Sequence, residues 1–204
     1  MTALAITGSL GSGKSTLFQR INRYLTVRNM LSSSFSADEE NGRLLREDLE
    51  VRREIEKTFG PCSLNPDGLP DRSKLSAMVI SDSDARKALE AIMHPRLEKI
   101  WHPLALRHRG KNSPFFVAEI PLLYERNLSG NFDSVLVIGC SNGIRTSRLA
   151  SRRSMPVEQV ERWLTAQQSQ SEKLGLADHL VWNDGSLASL DRQINQFFHY
   201  LNIP

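Results

Sequence analysis

The chain has 204 residues, 40% of them hydrophobic and 24% charged, with a net charge of +3, which suits one soluble α/β domain with room for a small subdomain. No apolar run reaches the roughly 20 residues that span a bilayer, the apolar start Ala3-Leu4-Ala5-Ile6 leaves no room for a leader peptide, and Cys62 and Cys140 stand too far apart for a C-x-x-C site. These features predict a cytoplasmic protein with isolated thiols and no membrane association; the mild positive charge suits phosphates, and no Lys/Arg tract with interleaved aromatics points to nucleic acid.

A short strand over about 2–7 leads into Gly8-Ser9-Leu10-Gly11-Ser12-Gly13-Lys14-Ser15-Thr16, and a helical run to about residue 27 follows. The stretch fits G-x-x-x-x-G-K-[ST] in its strand-to-helix setting, the phosphate-cradling loop. Its glycines let backbone N–H groups approach phosphate oxygens, and the helix start adds a positive dipole end. Gly11, Ser12, Gly13, Lys14, Ser15 and Thr16 are therefore expected to grip a nucleoside triphosphate. Lys14 supplies a point charge to the β- and γ-phosphates, and Ser15 offers a hydroxyl to Mg²⁺.

Residues 32–37 read as the second strand, with Asp38 at its carboxyl end, the edge where open α/β sheets bind ligands. Two readings of Asp38 stand side by side: the N-cap of the next helix, and a functional acid facing the phosphate loop. Residues 39–59 read as one charged helix ended by Gly60-Pro61, with Arg46, Arg52 and Arg53 on a solvated face. Asn65-Pro66-Asp67-Gly68 marks a turn, and Asp71 is a plausible N-cap for the run through Leu75, Met78 and Val79. Residues 83–109 form one long helix or two broken ones, with His94-Pro95 in the middle.

Phe115-Phe116-Val117-Ala118 has the continuous apolar character of a buried parallel strand and ends at Glu119. An acid there suits a Walker-B role towards Mg²⁺ or substrate; pairing with a neighbouring cation is the plainer alternative. Val135 to Ile138 is the next buried strand. In the helical run that follows, Arg145, Arg148 and Arg152 share one face, and the segment holds no acid before Glu158. Such a stripe fits a lid that lays Arg148 and Arg152 over a transferring phosphoryl group. A helix over 157–174, a strand over 179–182, the turn Asn183-Asp184-Gly185 and a last helix follow; Leu187, Leu190, Ile194, Phe197, Phe198 and Leu201 form that helix's core-facing stripe. Strands alternating with helices predict a five-stranded parallel sheet wrapped by helices. N-K-x-D and D-x-x-G are both missing, which argues against a switch GTPase, while a multi-arginine lid suits a small-molecule kinase that excludes water by closing.

Over essentially its whole length the sequence resembles the dephospho-coenzyme A kinases. The likeness rests on the loop Thr7 to Thr16, Ala37-Asp38, the stretch Asp67 to Leu75, His94-Pro95, Pro121-Leu122-Leu123-Tyr124-Glu125, and the ordered set Arg148, Arg152, Gln167, Ala177-Asp178 and Asn183-Asp184-Gly185. The resemblance implies an α/β, three-layer P-loop nucleoside-triphosphate hydrolase fold with helical substrate-side and lid insertions. It divides the chain into a core (about 1–38, 112–140 and 175–204), a CoA-side helical subdomain (about 39–111) and a lid (about 141–174). It implies ATP and Mg²⁺ as cofactors and dephospho-CoA as the acceptor, phosphorylated on its ribose 3′-hydroxyl in the last step of coenzyme A synthesis. By the same likeness Asp38 takes the hydroxyl proton, while Lys14, Arg148 and Arg152 act on the phosphates. Asn183 and Gly185 lie beside the adenine of ATP, and Arg72, His94, Glu119 and Leu122 fall to the acceptor; the implied state is a monomer or small homo-oligomer. Two departures stand out: the family usually reads Asp-Ala-Asp where this chain has Ser36-Ala37-Asp38, and the lid arginine is followed by Arg153 rather than aspartate. They leave open a kinase of another nucleoside or nucleotide, or a non-catalytic ATP-binding module.

Overall fold

The computed structural model describes residues 2–111, 114–153 and 169–203, with only the backbone of Ser81, Arg152 and Arg153. The chain divides into two compact units, residues 1–35 with 104–204, and residues 36–103.

The first unit is built on a five-stranded sheet ordered β2-β3-β1-β4-β5. β1 (Ala3–Gly8), β3 (Phe115–Glu119) and β4 (Ser134–Gly139) are buried at every position, as their near-continuous apolar sequences require of strands covered on both faces. β1 runs parallel to β3 with Ile6 opposite Glu119, and parallel to β4 with Gly8 opposite Ile138. β4 pairs in parallel with β5 (His179–Trp182), and β2 (Leu31–Ser36) takes the opposite edge. Parallel strands bring their carboxyl ends, and so the loops after them, to one rim.

Two helices share a face of this sheet. α1 (Lys14–Val27) buries Leu17, Phe18, Ile21 and Leu25, and the last helix, Leu187–Tyr200, buries Leu190, Ile194, Phe197 and Phe198. Both sets join Leu4, Ile6, Val117, Leu136, Ile138 and Val181 in one core. Tyr24 and Phe198 stack with centroids 4.6 Å apart. Leu187 departs from the expected stripe: it is 54% exposed, because it opens the helix just after its N-cap, Ser186.

Asp133 pins the start of β1. Its carboxylate accepts from the amides of Thr2 (2.9 Å), Ala3 (3.1 Å) and Gly110 (2.8 Å). Burial alone would raise its pKa, but the three amides outweigh that and hold it below the ordinary 3.8. A depressed carboxylate stabilises the fold above its unfolded value, and that stabilisation is lost as pH falls through the folded value. Asp133→Asn is expected to cost about 1 kcal/mol near neutral pH, less than the usual worth of bonds to a charged group because the residue is only half-buried and asparagine keeps an acceptor oxygen. In denaturant titrations the gap to the parent should close as pH falls below 3.8.

The second unit is helical: α2 (Ala37–Glu47), α3 (Leu49–Phe59), α4 (Arg72–Ser81) and most of α5 (Ser83–His108). The single helix expected over 39–59 is two. Asp48 leaves the helical region at ψ 112° and its side chain accepts from the amides of Glu50 and Val51, so it caps α3. A short polar side chain that bonds its own backbone competes with helix continuation. Asp71 caps α4 as expected, accepting from Ser73 and Lys74. α5 runs unbroken through Pro95 and Pro103. Beside Pro95, Arg96 donates from Nη1 to the Ile92 carbonyl at 2.6 Å and grips Glu54 of α3 at 2.8 Å through Nη2.

Candidate active site

The loop after β1 is held open by glycine where side chains cannot fit. A Cβ on Gly8 would lie 2.4 Å from the Ile138 carbonyl oxygen, and one on Gly13 would lie 2.3 Å from Asn183 Nδ2. Gly13 is the N-cap of α1 at φ 98°, a left-handed conformation that glycine adopts without penalty. Gly11 adopts φ 81° between them, and Thr16 is half-buried on α1.

Inside this loop Lys14 is buried, its Nζ donating to the Ser9 carbonyl at 3.1 Å. The hydroxyls of Ser9 and Ser12 are buried and make no hydrogen bond among the described residues. Each unmade bond costs about 1–3 kcal/mol. Orphaned donors and a lysine at a helix start are the fittings of an anion site, and phosphate oxygens match them.

Ser15 and Glu119, expected from sequence to share a metal, stand together: Ser15 Oγ donates to Glu119 Oε1 at 3.0 Å. Glu119 ends β3 and is 1% exposed, with Ile6 opposite it in the sheet. A hydroxyl and a carboxylate are hard oxygen donors, and Mg²⁺ takes one or two protein oxygens together with substrate phosphates. The pair therefore fits that ion.

The other side of the loop is bounded by the turn after β5 and by the helix that follows β4. Here α6 is Asn142–Arg153, α7 Gln170–Gly175 and α8 Leu187–Tyr200. Arg148 on α6 donates from Nη1 to the Ser12 carbonyl (3.3 Å) and from Nη2 to the Asn183 carbonyl (2.9 Å). Asn183 Nδ2 donates to the same Ser12 carbonyl at 2.8 Å. Asp184 accepts from the Ser141 amide at 2.7 Å, which holds its carboxyl below the usual range. Gly185 packs against Ser189 at the head of α8, where a Cβ would sit 3.1 Å from that side chain. The side chain of Arg152 and the whole of Gln167 lie outside the described residues.

In the helical unit, Ser36 rather than Asp38 caps α2, its hydroxyl accepting from the Glu39 amide. That settles the capping alternative for Asp38, which is exposed in the first turn just past β2. It also gives the Ser36 departure a physical reason, since serine caps a helix about as well as aspartate. Arg72 is exposed at the start of α4, and His94 is half-buried on α5. Leu122 is half-buried in the turn after β3.

Sequence reasoning missed Lys173. It is fully buried on α7, pairs with Glu125 at 2.8 Å and donates to the Pro121 carbonyl at 3.1 Å, a carbonyl that Thr7 Oγ1 also reaches at 3.2 Å. Gln170 on the same helix bonds both the amide and the carbonyl of Cys140. α7 thus ties the ends of β3 and β4 together. Burial pushes the Cys140 thiol up, as befits an inert core cysteine, and both cysteines are free.

A family model described as dephospho-CoA kinase matches residues 2–189. The chain belongs to the dephospho-CoA kinase family. It is 32% identical over 195 residues to the dephospho-CoA kinase of Methylococcus capsulatus, covering 96% of this chain and 94% of that one. With the dephospho-CoA kinase of Symbiobacterium thermophilum it shares 33% identity, over 95% of this chain and 79% of the relative. Among solved structures, the dephospho-CoA kinase of Campylobacter jejuni superposes with a TM-score of 0.63 at 28% identity, covering 98% and 96% of the two chains. A shikimate kinase from Bacteroides thetaiotaomicron, at 10% identity and a TM-score of 0.54, shares the fold alone. The five-stranded sheet of this chain and its superposition on a dephospho-CoA kinase bear out the expected fold class. No helix of the described residues is long and apolar enough to cross a membrane.

Proposed function

We propose that the protein transfers the γ-phosphoryl group of ATP to the ribose 3′-hydroxyl of dephospho-CoA, giving CoA and ADP, the last step of CoA synthesis. One observation carries the choice of acceptor: the family match runs from residue 2 to residue 189, through the phosphate loop and both helical insertions.

Asp38, within reach of the bound acceptor, takes the hydroxyl proton as the oxygen attacks phosphorus. Lys14 bears on the β- and γ-oxygens, and Arg148, already at the loop's Ser12 carbonyl, is placed to meet charge on the transferring group, with Arg152 beside it on the same helix. Asn183 and Gly185 form the turn beside the adenine. Ser15 and Glu119 would hold Mg²⁺, which would supply positive charge against the phosphate oxygens. Arg72, His94 and Leu122 receive the acceptor, and Glu119 borders it. The helical segment of about 39–111 is the CoA side, about 141–174 the lid, and the remainder the core. The protein works in the cytoplasm as a monomer or small homo-oligomer and uses neither nucleic acid nor membrane.

The test is incubation with ATP, Mg²⁺ and dephospho-CoA, following CoA by mass and ADP by a coupled assay. CoA and ADP are expected in equal amounts. An inert dephospho-CoA beside turnover of another hydroxyl acceptor, such as a nucleoside, would replace the reading.

A further inference from the structure

Two arginines of the helical unit converge on one glycine. A Cβ built on Gly42 of α2 would lie 3.2 Å from Arg46 Nη1 and 3.2 Å from Arg72 Nη1. Side chains on a helix lean towards its N-terminus, so Arg46 reaches back over Gly42, four residues before it. Arg72 comes to the same spot from the first turn of α4. Asp38 stands four residues before Gly42 and so shares its face of α2.

The two guanidiniums are unpaired among the described residues. Of the acids on α2, Glu40 and Glu47 pair with Arg43, at 2.7 and 3.5 Å, while Asp38 and Glu39 in its first turn pair with neither Arg46 nor Arg72 among the described residues. Neither Arg46 nor Arg72 makes an ion pair or side-chain hydrogen bond among the described residues. Like charges brought to one spot repel unless an anion lies between them. Glycine at position 42 is itself informative, for it is buried inside a helix where alanine is the better helix former. Its missing side chain is what leaves room for the guanidinium ends.

We propose that Arg46 and Arg72, meeting over Gly42, form a phosphate-binding subsite that holds the diphosphate group of the acceptor on the Asp38 face of α2. This rests on the acceptor reading above and extends it to Arg46, which sequence alone places on a solvated face. Arginine suits the task because its planar fork meets phosphate oxygens in pairs.

The test is calorimetric binding with the phosphate loop already filled by a non-hydrolysable ATP analogue. Arg46→Gln is expected to bind dephospho-CoA about tenfold more weakly than the parent, the loss of one charge-assisted contact. Its affinity for the ATP analogue and for adenosine, which lacks the diphosphate, should stay within about twofold. Arg46→Lys, which keeps the charge without the fork, should fall between. Gly42→Ala is the second variant: it should raise the thermal midpoint while weakening dephospho-CoA binding several-fold, a combination that a purely structural glycine would not produce. If Arg46→Gln binds dephospho-CoA as the parent does, or loses adenosine equally, the subsite is wrong and the acceptor reading stands. If the parent ignores dephospho-CoA but binds inorganic diphosphate through Arg46, the subsite stands and the acceptor reading falls.

Discussion

Lys14→Met is expected to lower kcat/KM for ATP by about 10³-fold, about 4 kcal/mol of transition-state stabilisation, while the fold survives. Phosphoryl transfer offers the protein little covalent chemistry, so positioning and charge carry most of the acceleration. The ammonium is buried at the start of α1, where water cannot screen it and a fixed positive charge acts more strongly than it would in bulk. Its Nζ donates to the Ser9 carbonyl at 3.1 Å among other contacts, and methionine, of similar length, removes the charge and fills much of the same space. The thermal midpoint should therefore shift by only a few degrees, since the apolar stem's packing is kept. Lys14→Arg gives the control. A planar fork cannot take the place of a compact ammonium inside the loop, so restored charge should recover little activity. Stopped-flow nucleotide binding beside steady-state turnover would separate the two effects. A loss confined to ATP affinity, with kcat intact, would show that Lys14 acts in binding rather than in transfer.

The phosphate loop was legible in the sequence because its chemistry is local. Glycines, lysine and serine at fixed offsets between a strand and a helix leave few other folds for the chain. The pairing of Ser15 with Glu119 was legible for a related reason: an acid that ends a buried parallel strand must come out at the rim where the loop lies. Other features depended on partners far apart in the chain. Lys173 reads in sequence as one more lysine on a short helix, and only the fold brings Glu125 and the Pro121 carbonyl to it. Arg46 looked solvated because helical periodicity shows which residues share a face, not what crosses over them from α4. The break at Asp48 was hidden differently. Aspartate within a charged run looks like an ordinary helix-surface residue, and its capping bonds to Glu50 and Val51 decide otherwise.

Asp38→Asn is expected to lower kcat by about 10²- to 10⁴-fold, the usual worth of a positioned general base. The substitution is nearly isosteric and keeps an acceptor oxygen, so acceptor binding should change little and the loss should fall on kcat. The structure makes this a clean experiment, because Ser36 and not Asp38 caps α2. The cap remains intact in the variant, and Asp38 is exposed, so only a weak interaction with the helix dipole is lost, about 0.3–1 kcal/mol. Ser36→Ala is the complementary variant: it should cost about 1 kcal/mol of stability through the lost cap, with a far smaller effect on kcat. The two changes, two residues apart, thus separate the scaffold from the chemistry. If Ser36→Ala and Asp38→Asn lowered kcat equally, the acid would be acting through the helix rather than on the hydroxyl. Near-full kcat in Asp38→Asn would move the proton to another acceptor altogether.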